Sequence, residues 1–142
     1  MNLKQNGLRR RVGIEARRIS SQHRQLDQFY GMLAEALRRE RPADARSAFQ
    51  RFRDALEAHF TMEDEIHFPA LHGLRPDLEA QLSALVAEHR DFRQQLETLQ
   101  GQFDRSELGP GAEVLDDFVT RLAAHEGREE KLLADLPASP TR

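Results

Sequence analysis

The sequence repeats one arrangement of histidine and glutamate at an interval of 66 residues. Each copy has a histidine followed, 36 positions later, by a His-x-x-x-Glu pair. In an α-helix, residues four positions apart lie on the same face, so each pair points an imidazole and a carboxylate in one direction. The candidate metal ligands are therefore His23, His59 and Glu63 in the first half, and His89, His125 and Glu129 in the second.

The apolar residues around these motifs follow the same interval. The matching pairs are Phe49 with Leu115, Phe52 with Phe118, Leu56 with Leu122, Ala58 with Ala124, and Ile66 with Leu132. A repeat of both the apolar frame and the polar motif indicates two similar structural units. We therefore expect two helical hairpins, each giving three ligands to one shared centre.

Apolar residues at spacings of three and four predict four amphipathic helices. The first begins near Ile14 or Ile19 and runs to about Arg39, and the second runs from Ala43 or Asp44 to about Leu71. The third spans about Asp77 to Gln100, and the fourth about Ala112 to Leu136. The inner face of the second helix is predicted to carry Phe49, Phe52, Leu56, His59, Glu63 and Ile66.

Proline and glycine mark the connections between these helices. Pro42 ends the first helix, and Gly73 with Pro76 separates the second from the third. The stretch from Gly101 to Gly111, which ends in Gly109-Pro110-Gly111, is predicted to be a loop. Short connections imply antiparallel neighbours, so the predicted fold is all-α, an up-down-up-down antiparallel four-helix bundle.

The bundle topology predicts the level of each histidine along the bundle axis. Residues equally far from a tight turn in an antiparallel hairpin lie at the same level. The midpoints between successive histidines fall at the three predicted connections. All four histidines should therefore share one layer of the core, with Glu63 and Glu129 one turn away.

Composition limits the domain organisation and the classes of function. A chain of 142 residues is one domain's worth, and we divide it into a basic extension (1–18), the bundle (19–136) and a tail (137–142). The chain has no cysteine, which excludes thiolate ligands and disulfides. A net charge of −3, with arginine clusters that lack interleaved aromatic residues, argues against a nucleic-acid partner. No apolar run would span a membrane and no secretory leader is evident, so we expect a cytoplasmic protein.

The number and chemistry of the candidate ligands favour two metal ions. Four imidazoles and two carboxylates exceed the four ligands of a tetrahedral zinc, whereas two metals bridged by the glutamates would use all six. Nitrogen and oxygen donors without sulfur suit iron or manganese, and zinc stays open because its intrinsic affinity is high. Positions left open on such metals could bind dioxygen, peroxide or nitric oxide.

These residues resemble the hemerythrin-like, or HHE cation-binding, domain family over about Ser20 to Leu133. The segment from His59 to Glu65, followed by Phe68-Pro69, is especially similar to the family's second-helix motif. The resemblance implies a four-helix bundle with a non-haem di-iron centre, with or without an oxo bridge. It also implies chemistry with O₂, NO or peroxide, or iron sensing. The implied iron ligands are the six residues of the repeat, with Glu63 and Glu129 bridging.

The sequence departs from the respiratory oxygen carriers that it resembles. Those proteins have a His-x-x-x-His pair on the third helix, whereas Arg93 stands four residues after His89 here. Their fourth-helix carboxylate follows the histidine by five residues, which would correspond to Glu130. The internal repeat favours Glu129, because a fifth residue lies about 140° away around a straight helix. Such a carboxylate-rich site favours peroxide turnover, and so a catalase-like activity, over simple oxygen carriage.

Several assignments have more than one interpretation. His67 could be a seventh ligand, or it could lie behind the ligands or on the surface. Tyr30 could donate a hydrogen bond to bound oxygen, ligate iron, or pack in the core. Glu126 or Glu130 could orient an imidazole. The alternative functions are an iron- or oxygen-responsive regulatory module that acts through a partner, and a metal-handling protein.

Overall fold

A computed structural model describes residues 3–134, which form a bundle of antiparallel helices without any strand among them. Its elements are α1 (Leu3–Arg38), α2 (Pro42–Met62), a π-helical turn (Glu63–His67), α3 (Phe68–Leu74), a 3₁₀ turn (Pro76–Leu78), α4 (Glu79–Asp104) and α5 (Leu108–Ala134). Because α2, the π turn and α3 form one continuous helical arm, the chain has four long arms. Each arm packs against the next, and α5 closes the bundle against α1. The predicted all-α, up-down-up-down four-helix bundle is confirmed.

The first helix is longer than its apolar pattern predicts. α1 begins at Leu3 and not near Ile14 or Ile19, because the arginine-rich segment is compatible with helix and Val12 is buried against the bundle. Val12 belongs to the same apolar cluster as Phe68 on α3. The division into an extension (1–18) and a bundle (19–136) stays a prediction, and the tail (137–142) lies outside the described residues.

The connection between the last two arms is much shorter than predicted. α4 continues to Asp104 and α5 begins at Leu108, so most of the stretch from Gly101 to Gly111 is helical and only residues 105–107 connect the helices. Pro110 lies in the first turn of α5, where backbone N–H groups make no hydrogen bond within the helix. A proline there therefore costs the helix no hydrogen bond. Ser106, with a φ of 58°, supplies the left-handed residue that ends α4.

Within residues 3–134 the apolar core forms two clusters, one on each side of the histidine layer. The larger cluster contains the repeated pairs Phe49 with Leu115, Phe52 with Phe118, and Leu56 with Leu122, and all six side chains are buried. The smaller cluster contains Val12, Phe68, Ala70, Leu71, Leu78, Leu82 and Leu85. The two halves of the repeat therefore occupy equivalent core positions, and the polar layer lies between apolar walls.

The π-helical turn changes which residues of the second arm face the core. Ile66 is 37% exposed, so its predicted place on the inner face is wrong. A π turn contains about one more residue than an α turn, and it rotates the residues that follow. As a result His67 and Phe68 are buried in place of Ile66.

Candidate metal centre

The six repeated histidines and glutamates converge in the centre of the bundle. Each is buried, with 7% or less of its surface exposed. The Nε2 atoms of His23 and His59 lie 3.3 Å apart, and those of His89 and His125 lie 3.1 Å apart. The prediction that the four histidines share one layer is confirmed.

The donor atoms form two adjacent groups that share one carboxylate. Glu63, His89, His125 and Glu129 offer ligand atoms within 4.8 Å of one another, and so do His23, His59 and Glu129. Glu129 therefore belongs to both groups. Glu63 also lies between them, since its Oε1 is 3.2 Å from His89 Nε2 and 3.4 Å from His59 Nε2. This arrangement could hold two cations with carboxylates between them.

Each of the four imidazoles has an acceptor oxygen at its other ring nitrogen. His59 Nδ1 donates to Gln22 Oε1 at 2.6 Å, and His125 Nδ1 donates to Glu88 Oε1 at 3.0 Å. His89 and His23 donate in the same way to acidic residues, Asp64 Oδ1 at 2.7 Å and Glu130 Oε1 at 3.2 Å respectively. A proton on every Nδ1 leaves every Nε2 with a free lone pair toward the centre.

These four acceptor residues extend the internal repeat. Glu88 follows Gln22 by 66 residues, and Glu130 follows Asp64 by the same interval. Sequence reasoning missed Gln22, Asp64 and Glu88 as supports of the imidazoles, although the interval itself was a signal that could have found them. For Glu130, the interpretation that it orients an imidazole agrees with its contact to His23 Nδ1.

Two arginines donate hydrogen bonds to two of the carboxylates that accept from the imidazoles. Arg128 donates to Glu88 Oε2 at 2.6 Å, and Arg93 donates to Asp64 Oδ2 at 3.3 Å. Burial opposes ionisation of Glu88, but the hydrogen bonds from Arg128 and His125 outweigh it and lower its pKa. The acceptors of His89 and His125 are thus fixed from outside the site.

The chemistry of the donor set fits a metal centre. Both oxygens of Glu63 and both oxygens of Glu129 are buried without a hydrogen-bond partner. Burial and the neighbouring Glu129 raise the pKa of Glu63, and burial lowers the pKa of His59 to about 3. Unpaired buried carboxylates and facing lone pairs are costly, and a cation between them would satisfy both.

Aromatic rings surround the donor atoms on the apolar sides. Phe60 stacks on His89 with 4.2 Å between ring centroids, and Phe68 stacks on the same imidazole at 5.9 Å. Phe92 meets His125 edge-on at 5.3 Å. These contacts fix the planes of the imidazoles and keep water from them.

The remaining residues of interest have distinct environments. His67 is 1% exposed and its Nδ1 has no hydrogen-bond partner, so the interpretation that it lies on the surface is wrong. Tyr30 packs against Phe52 with 6.4 Å between centroids, which agrees with a role in the core. Glu126 turns one oxygen toward His23 Nε2, at 3.4 Å. Burial and the nearby Glu129 carboxylate raise the pKa of Glu126 to about 8.

Fold and site together define a class: four-helix bundles with a histidine and glutamate metal centre in the core. The model of the hemerythrin HHE cation-binding domain matches residues 16–136, and the chain belongs to that family. Members of the family bind metal cations, typically iron. Comparisons with curated proteins and with solved structures gave no significant match. Within the described residues, no helix is long and apolar enough to cross a membrane.

Proposed function

We propose that this chain is a cytoplasmic non-haem di-iron protein that reacts with a small oxidant, with hydrogen peroxide as the first candidate and O₂ or NO as the others. The observation that carries the proposal is the pair of buried donor groups that share Glu129. His23 and His59 would hold one iron, and His89 and His125 the other. Glu63 would bridge with Glu129, since its Oε1 lies beside an imidazole of each group.

The donor set supports iron over the other candidate metals. Imidazole nitrogen and carboxylate oxygen together suit iron, with manganese and zinc as less favoured metals. When bound, two irons would supply redox electrons and coordination positions for a peroxide or a diatomic gas. The chain's own part is to hold each imidazole by its Nδ1 proton and to exclude bulk water with Phe60, Phe68 and Phe92.

Arg93 supports turnover of peroxide over reversible oxygen carriage. It occupies the position four residues after His89, and its guanidinium donates to Asp64 and lies 5.6 Å from the Phe60 ring centroid. Position 93 thus places a positive charge next to Asp64, the acceptor of His89, and supplies no additional imidazole. A site with fewer imidazoles relative to carboxylates favours ferric iron, which suits a redox cycle.

The test is the metal content of protein purified without oxygen, with its visible spectrum before and after addition of hydrogen peroxide. We expect about two irons per chain, a spectral change with peroxide, and evolution of O₂, as the donor count requires. His89→Ala should lose iron and activity. His72→Ala is the matched control, because His72 is exposed and should keep both.

The outcomes separate the candidate functions. Two irons with a spectrum that peroxide does not change, but that NO or O₂ does change, would move the assignment to gas binding or sensing. Protein that binds neither iron nor another metal, while it is folded by circular dichroism, would overturn the proposal.

A further inference from the structure

The two donor groups in the core are unequal. The ligand atoms of His89, His125, Glu63 and Glu129 all lie within 4.8 Å of one another, whereas His23 and His59 form such a group with Glu129 alone. Glu63 Oε1 is 3.4 Å from His59 Nε2 but does not belong to the group that includes His23. The pseudo-symmetry of the repeat would give the two groups equal sets of donors. The group around His23 and His59 therefore has one donor fewer, and its surroundings decide whether another residue takes that place.

Glu126 places a carboxylate oxygen beside the His23 imidazole of this group. Its Oε2 lies 3.4 Å from His23 Nε2, the ring nitrogen that faces the centre, because His23 Nδ1 already donates to Glu130. The Oε2 atom is buried and has no hydrogen-bond partner, although 18% of the side chain is exposed. Glu130 already orients the His23 imidazole through Nδ1. Orientation of that ring therefore does not explain why Glu126 lies at Nε2.

The internal repeat shows that this carboxylate breaks the symmetry of the site. The residue 66 positions before Glu126 is Phe60. Phe60 stacks on His89, with an angle of 21° between the rings. One half of the repeat thus covers its imidazole with an apolar ring, and the other half directs a carboxylate oxygen toward the imidazole nitrogen that would bind metal.

We propose that Glu126 is a further carboxylate ligand of the metal held by His23 and His59. This inference rests on the proposed di-metal centre and adds to it that the two metal positions differ. The position near His23 would have a terminal carboxylate, while the position near His89 would keep an apolar ring at the equivalent place. An anionic oxygen donor favours a hard, highly charged cation, so the two metals should differ in affinity and in electronic environment.

The experiment compares wild-type protein with Glu126→Gln after loading with ⁵⁷Fe, using Mössbauer spectra and competition with a chelator. In the wild type we expect two quadrupole doublets of equal area. Glu126→Gln should change one doublet only. It should weaken the binding of one iron by about 10-fold or more and leave the affinity for the other iron unchanged, as the loss of other polar residues at metal sites does. Glu113→Gln is the control, because Glu113 lies exposed on the same helix.

Glu126→Asp serves as a second variant, because it keeps a carboxylate that is shorter by one methylene. It should keep both irons and shift the parameters of one doublet only. A wild-type protein with two irons in a single doublet, or a Glu126→Gln protein with both doublets and both affinities unchanged, would overturn the assignment. A wild-type protein that binds no metal would instead overturn the proposed function.

Discussion

Glu88 on α4 accepts a hydrogen bond from His125 on α5, with 3.0 Å between Oε1 and Nδ1. Gln22 on α1 accepts the equivalent bond from His59 on α2, with 2.6 Å between the atoms. One acceptor is an acid and the other is an amide. The feature common to both halves of the repeat is therefore an oxygen at that point, and the charge is specific to the second half.

Substitutions of Glu88 should separate the acceptor from the charge. Glu88→Gln keeps the oxygen and should bind metal nearly as well as the wild type, as Gln22 illustrates in the other half. Glu88→Ala leaves the Nδ1 proton of His125 without an acceptor and should weaken metal binding about 10- to 100-fold. Chelator competition measures both affinities. Equal affinities for Glu88→Ala and wild type would show that the outer acceptor is unimportant.

Glu129 and Glu130 should differ in their effect on metal content. Glu129 lies in both donor groups, so Glu129→Gln should weaken metal binding at both positions. Glu130 contacts the outer nitrogen of His23 and is in neither donor group of the described residues, and Glu130→Gln keeps an acceptor oxygen there. We expect Glu130→Gln to keep the metal content of the wild type in elemental analysis. If Glu130→Gln lost metal while Glu129→Gln kept it, the fourth-helix ligand would be Glu130.

His67 should make the stability of the metal-free protein depend on pH. Burial lowers its pKa to about 4, below its ordinary value of 6.5. Between these values the unfolded chain binds the extra proton, so the free energy of unfolding falls as the pH drops from 6.5 toward 4. At pH 5 the loss from this residue is roughly 2 kcal/mol.

Replacement of His67 by leucine removes this contribution. In urea titrations, the free energy of unfolding of His67→Leu should fall by roughly 2 kcal/mol less than that of the wild type between pH 7 and pH 5. His72→Leu, at an exposed position, should follow the wild-type slope. Parallel pH dependences of wild type and His67→Leu would show that His67 is not held neutral by burial.

Gly111 should resist substitution although it lies within a helix. A Cβ atom there would be 2.6 Å from Phe103 Cε1, and Phe103 is fully buried. Gly111→Ala should therefore cost about 1–3 kcal/mol of unfolding free energy, through overpacking. Gly109→Ala, two residues earlier in α5, meets open space and should be neutral or stabilising. Thermal unfolding of the two variants tests this difference.

Much of the fold follows from local patterns in the sequence. The spacing of apolar residues predicted the four arms, and the midpoints between histidines predicted their common layer, because both depend only on helical geometry and short turns. The predicted loop from Gly101 to Gly111 was wrong for a reason outside such patterns. Glycine and proline in the first turn of α5 are compatible with helix, and Gly111 is required there by contact with Phe103.

The sequence by itself determined the candidate ligands and their symmetry, since residue type and an interval of 66 positions are properties of the chain alone. The tertiary structure decided the burial of His67 in place of Ile66, because the π turn rotates the helix at that point. It also decided that Glu126 faces His23 while Phe60 covers His89. Contacts between helices depend on how each helix is rotated about its axis, and that rotation is set by packing across the whole core.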